Sequence, residues 1–294
     1  MKAIFKRELR ALFTSFRTYL FLALTLAAGS ACGWLNNLST TNPQFCENAQ
    51  YLGLVMAACV PLLTAPTYAS DRKNHVERLL CSLPIRPVSL AMGRFLACLA
   101  PVAISCALTL LIPAALTFMG GSGMAASLGM CAALFCLGAL LAALTLLISF
   151  LTNAPWQAYL ASLAVCAASY FAPLAAGKLL TATALTTPMM LCLVLAIFLL
   201  AWLATGSVYL GVIVTAIIDV PVVISRMQDG GVKAARVFGR VLNRLSLFNP
   251  LSDFAMGVVN LQTLAWYLTA ALFLAAVTAL CLRARRMGER RALA

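Results

Sequence analysis

Residues 124–151 read MAASLGMCAALFCLGALLAALTLLISFL, without one charged side chain. An unbroken apolar run of about 18 or more residues is the mark of a membrane-spanning helix, because about 30 Å of hydrocarbon must be crossed with every backbone polar group paired inside the segment. The other spanning solution, a closed barrel, is built from short segments of alternating polarity, and that pattern is absent. The stretch predicts an all-α integral membrane protein, a polytopic helical bundle, and the rest of the chain is organised around it.

Composition agrees. The 294 residues are 63% hydrophobic and 10% charged, with a mean hydropathy of +0.97. A soluble domain is about 45–50% apolar. The net charge of +13 would suggest nucleic acid in a soluble protein, but its placement excludes that partner. Lys2, Lys6, Arg7, Arg10 and Arg17 precede the first apolar run. Arg72, Lys73, Arg78, Arg86 and Arg94 lie in one loop region, and Arg283, Arg285, Arg286, Arg290 and Arg291 close the chain. Basic clusters beside span ends mark cytoplasmic segments, so the chain belongs in a cytoplasmic membrane with both termini inside. The start, MKAIFKRELRALFTSFRTYLFL, lacks the clean small-residue site of a cleavable signal. Most of the eleven cysteines fall inside apolar runs, where a free thiol acts as a small hydrophobe. Cys46 is expected as a free thiol in an external loop. With one histidine and no CxxC, no zinc set is available.

Lys2 to Arg17 predicts an interfacial amphipathic helix (residues 1–17). Phe5, Leu9, Leu12, Phe13 and Phe16 form its apolar face, and Lys6, Arg7 and Arg10 its membrane-interface cations beside anionic lipid. Spans follow at about 18–35, 51–69, 95–119, 124–151 and 156–176. The first contains Gly29-Ser-Ala-Cys-Gly33, a GxxxG that lets helices approach closely, read as packing inside the bundle rather than a dimer seam. The loop 36–50 is placed outside. The second span carries Pro61 and Pro66, and prolines bend membrane helices. Residues 188–226 would extend about 57 Å as one helix, too long for one crossing, so spans six and seven are set at 189–204 and 208–225. An eighth lies at 263–282, before a basic tail at 283–294. Eight spans are expected, with six or seven as alternatives. An amphipathic segment, 226–262, then lies before the last span, its basic part 226–244 outside.

The loop region 70–94 is the most informative. Val76, Leu79, Leu80 and Leu83 recur at helical spacing and make one apolar stripe. Asn74 precedes Glu77 by three residues, close to a capping box, and Pro84 and Pro87 stop the element. A helix of about two turns is marginal alone and gains stability only by packing on something. His75 reads as a solvated face residue.

The chain resembles the permeases of bacterial ATP-binding-cassette transporters of the type-2 exporter family, most nearly those similar to gliding-motility exporters. The residues that carry the likeness are the opening Lys2-Ala-Ile-Phe-Lys-Arg-Glu-Leu-Arg10, then Pro61-Leu-Leu-Thr64 and Ser70-Asp-Arg-Lys-Asn74. Glu77, Leu79-Leu80, Pro84 and Gly93-Arg-Phe-Leu-Ala97 follow. A second block runs from Leu245-Ser-Leu-Phe248 through Phe254, Gly257 and Asn260-Leu261 into Trp266-Tyr267-Leu268. The departures are Pro66 where a basic residue is usual, Ser70-Asp71 for an acid pair, and Asn260 where an acid is usual. The resemblance implies one permease domain that works as a dimer with a second copy or a homologous permease, and a separate ATPase that binds ATP and Mg. It also implies that the helix after span two is a coupling helix docked on that ATPase. Asn74, Glu77 and Arg78 would make its polar contacts, Leu79 and Leu80 its anchors, and Pro84 its end.

Other classes fare worse. There is no GxxxxGK[ST] and no HExxH, so no catalytic residue and no cofactor or metal site is expected in this chain. A secondary transporter binds its coupling ion at intramembrane polar groups. Here only Asp219 reaches hydrocarbon depth, next to Pro221 at a span end, and Thr109, Thr145, Ser149 and Thr215 are scattered. A structural membrane subunit is the remaining alternative. Transport that depends on an added ATPase separates these readings from one driven by an ion gradient.

Overall fold

Every backbone amide of a span must be paired within the span, and the architecture follows from that. The computed structural model describes residues 2–39, 44–74, 87–118, 123–152, 154–181 and 246–292. Spans six and seven, Asp219 and the basic segment 226–244 lie outside the described residues. The chain divides into two compact units, Met1–Tyr159 with Leu251–Ala294, and Leu160–Pro250.

The helices are α1 (Lys2–Phe13), α2 (Phe16–Cys32), α3 (Ala49–Thr64), α4 (Pro66–Lys73), α5 (Pro87–Phe118), α6 (Met124–Leu151), α7 (Pro155–Thr181), α8 (Leu251–Ala255) and α9 (Leu261–Ala292). A π-helical turn, Gly33–Leu38, prolongs α2, and a 3₁₀ turn, Phe45–Asn48, leads into α3. Five helical segments are long and apolar enough to cross a membrane: Phe16–Leu38, Phe45–Lys73, Val88–Phe118, Met124–Leu151 and Leu261–Ala284. The protein is an all-α, polytopic membrane protein.

In the first unit α6 is the axis, packed against α3, α5 and α9. Its most apolar window is 72% buried, against 28% for those of α2 and α9, whose outer faces are exposed. The buried stripe of α9 is Tyr267, Ala271, Ala275, Ala279 and Leu282, mostly small side chains. Without a hydrophobic driving force between spans, such residues allow the backbone approach that dispersion requires. Leu268, Leu272 and Phe273 are exposed on the other side. In the second unit Leu247 N–H donates to Ser169 Oγ (2.9 Å), and the Tyr170 and Phe248 rings meet edge-on at 5.4 Å.

The GxxxG of α2 packs within the chain. A Cβ on either Gly29 or Gly33 would stand 3.0 Å from Ile112 of α5. At the far end of α2 a side-chain ladder closes the bundle. Asn36 Nδ2 donates to Asn48 Oδ1 (2.6 Å), and Asn48 Nδ2 to Asn37 Oδ1 (2.8 Å).

Cys46 is a free thiol and is buried, because the 3₁₀ turn folds it under the loop at Gly257. The polar run Ser70 to Lys73 is helical, and so is Pro87 to Arg94, so helix continues into both ends of the connection 70–94. Pro87 opens α5, where its missing N–H costs nothing. The inward face of α1 packs on the bundle. Ile4 lies against Gly93 of α5, and Glu8 is buried, while Phe16 is 77% exposed at the start of α2.

Candidate functional site

The connection expected to couple follows α4, and α4 is tied to its neighbours by several buried polar contacts. Pro66 has no N–H, so the hydrogen-bond ladder of the second span breaks there. Ala65 nonetheless keeps helical torsions (φ −57°, ψ −38°), so the break is in pairing and not in backbone torsion. The first N–H groups of a helix have no partner within it. Ser149 of α6 supplies one: its Oγ accepts from Tyr68 N–H and Ala69 N–H, both at 3.1 Å, and donates to the Ala65 carbonyl. One donor and two acceptor sites exhaust a serine hydroxyl. One turn back, the hydroxyls of Thr64 and Thr145 bond one another.

The other end of the arm is tied as well. Arg72 donates to the carbonyls of Thr152 (Nη1, 3.0 Å) and Phe150 (Nη2, 2.7 Å). These carbonyls stand at the C-terminus of α6, where a cation also meets the helix dipole. The Arg72 guanidinium lies 5.7 Å from the Phe150 ring, which meets the Tyr68 ring edge-on at 5.9 Å.

On the opposite side stands Arg94, 2% exposed, on the first turns of α5. It pairs with Asp71 of α4 through Nη2 and with Glu8 of α1 through Nε at 3.4 Å. Its guanidinium covers the Tyr68 ring at 4.4 Å from the centroid. Glu8 also faces Arg7 at 3.4 Å. The order Arg7, Glu8, Arg94, Asp71 alternates in sign and sums to zero, which is what lets four charges sit in and beside a low-dielectric bundle. Gly93 makes the contact possible, since a Cβ there would stand 3.1 Å from Ile4 Cγ2. Three helices separated in sequence thus share one cation, and two of them flank the connection expected to couple.

Of the residues expected to couple, Asn74 is the one described. It ends α4, its N–H donating to Ser70 O at 3.0 Å. Glu77, Arg78, Leu79, Leu80 and Pro84 lie outside the described residues. Lys6, Arg7 and Arg10 are exposed on α1. Sequence reasoning missed Glu8, Tyr68, Asp71 and Ser149 as a group, and counted Arg94 among solvated loop charges. The available signal was Glu8, a lone acid in a basic helix. Asn260 fits its place as a cap: Oδ1 accepts from Gln262 N–H (3.1 Å), while Nδ2 donates to Asp253 Oδ2 (3.2 Å). Asp253 thereby brings an acid to that corner after all.

Among the described residues no three His, Cys, Asp or Glu side chains are placed to hold a metal. A cleft among Thr25, Leu52, Met56, Cys106 and Thr109 encloses about 10 Å³, the lower limit for a single water and far too little for a cargo.

No curated protein and no solved structure matches the chain significantly. A family model does match, over residues 44–212, more than half of the chain and including α3, α4 and the whole connection expected to couple; its description is ABC-2 family transporter protein. With apolar helices of spanning length and a polar-clamped arm between spans two and three, the chain belongs to the ABC-2 transporter family as a membrane component.

Proposed function

We propose that this protein is the permease subunit of an ATP-driven exporter in a bacterial cytoplasmic membrane, with both termini cytoplasmic and eight spans in all. A separate ATPase binds ATP and Mg and docks on residues 74–84. Asn74, Glu77 and Arg78 make the polar contacts, Leu79 and Leu80 the packed ones, and Pro84 ends the element. A second permease, identical or homologous, completes the translocation path.

The observation that carries this reading is the fastening of α4. An arm that only tethered a loop would need no buried clamps. Here a displacement of residue 74 is passed to α6 through Ser149 and Arg72, and to α5 and α1 through Asp71 and Arg94. A stiff lever between an ATPase and a bundle has to be joined in this way, because packed interfaces transmit discrete shifts while solvated loops absorb them.

The test is co-purification. Glu77→Ala combined with Leu80→Asp leaves the bundle untouched, inserts normally and loses the ATPase. The ATPase recovered at wild-type level with that variant would refute the docking assignment.

A further inference from the structure

Lys6, Arg7, Arg10 and Arg17 are exposed on α1 and the first turn of α2. Thr14 and Ser15 join the two helices in a tight corner. Thr14 N–H donates to Arg10 O at 2.9 Å, and the Ser15 hydroxyl accepts from Arg17 N–H at 3.3 Å. The row therefore stands at the end of a lipid-facing span, and Phe16 and Tyr19, 77% and 57% exposed, stand beside it. Exposed aromatics and cations at that level belong to the headgroup layer. Of the four cations, only Arg7 has an acidic partner among the described residues, and that partner, Glu8, is shared with buried Arg94.

We propose that this row binds the phosphates of anionic phospholipids and that binding tightens α4 through the Arg7, Glu8, Arg94, Asp71 chain. Arg7 is 55% exposed and Glu8 12%, so Arg7 is the member free to turn outward. A headgroup phosphate draws Arg7 away, Glu8 is left to Arg94 alone, and α1 closes on α5 and α4. The membrane surface then sets how firmly the coupling arm is held. The physiological meaning rests on the reading of α4 as the arm toward the ATPase, but lipid binding and its effect on α4 are properties of this chain by itself.

The experiment uses the full chain in nanodiscs of phosphatidylcholine with or without phosphatidylglycerol. Native mass spectrometry counts retained lipid, and hydrogen exchange follows residues 66–74. The wild type is expected to retain phosphatidylglycerol preferentially and to exchange more slowly when it is present. Each of Lys6→Gln, Arg10→Gln and Arg17→Gln weakens retention about fivefold. Glu8→Gln keeps the retention and loses the exchange difference. Arg7→Gln, which leaves the buried pair intact, exchanges slowly in both lipids. Equal retention of the two lipids, or exchange at 66–74 indifferent to lipid in the wild type, would overturn the proposal. So would a triple variant of Lys6, Arg10 and Arg17 that keeps phosphatidylglycerol and loses the ATPase, since the row would then be a protein dock.

Discussion

Replacing Arg94 with methionine removes the one cation that two carboxylates share, at nearly constant side-chain volume. Breaking a buried ion pair by deleting one partner costs about 3–5 kcal/mol, mostly because the other charge is stranded. Here the stranded groups are not fully dry. The Glu8 and Asp71 side chains are 12% and 23% exposed, and Glu8 keeps Arg7, which lowers the expectation to about 2–3 kcal/mol. That is a shift of about 30- to 150-fold in the unfolding equilibrium. Titrating the purified protein from mild-detergent micelles into SDS, with tryptophan fluorescence as the signal, measures it. Two further variants separate charge from packing. Glu8→Gln with Asp71→Asn in the Arg94→Met background strands nothing and restores most of the loss. Tyr68→Phe is neutral or stabilising by up to about 1 kcal/mol, because the buried Tyr68 hydroxyl has no hydrogen-bond partner among the described residues while the ring under Arg94 is kept. An Arg94→Met protein within about 0.5 kcal/mol of wild type would refute the reasoning, and so would a triple variant less stable than Arg94→Met alone.

Ser149→Ala strands the Tyr68 and Ala69 amides and costs about 1–3 kcal/mol, seen as faster hydrogen exchange in α4 with α3 unchanged. Gly138→Ala brings a Cβ within 2.6 Å of Val102 Cγ1 and costs about 1–3 kcal/mol in the same SDS titration; adding Val102→Ala should return most of it. A cysteine placed at Gly230 is expected to react with an impermeant thiol reagent from outside intact cells; labelling only after the membrane is opened would mean an even number of spans before it, which overturns the eight-span arrangement in favour of seven, with residues 283–291 outside.

The spans were legible because their constraint is one-dimensional: 28 residues of α6 without a charge leave no other structure. Segment ends were less so. The ladder-breaking Pro66 predicts a bend, but Ser149, more than eighty residues on, pairs the amides of Tyr68 and Ala69, and no local pattern carries that. The interfacial helix was read from its apolar positions, which predict burial in lipid. Its inward face instead holds Glu8, because a carboxylate can be buried when a guanidinium from another helix meets it. The Gly93-Arg94 pair was noticed as part of a pattern, and only the fold gives it a physical sense, the glycine admitting α1 and the arginine receiving Glu8. Opposite charges scattered over Glu8, Asp71 and Arg94 form a site only once the chain has folded.

The placement of these polar contacts bears on where energy enters. Within α6, Thr145 and Ser149 are spent on the second span, and Thr109 of α5 and Thr25 of α2 donate to carbonyls of their own helices. A transporter that binds its coupling ion in the membrane needs such groups unspent and converging at a break in a helix. The break at Pro66 is a candidate for that purpose, and the Tyr68 and Ala69 amides beside it are already taken by Ser149. Arg94, Glu8 and Asp71 are also too mutually neutralised to hold an extra cation without giving up a partner. The polar atoms at this end of the bundle are arranged to make α4 one body with α6 and α5, so work delivered at residue 74 arrives in the spans. That arrangement suits the proposed permease, whose energy would come from a second protein, and it makes Arg94 and the α1 surface the places among the described residues to look for control of transport.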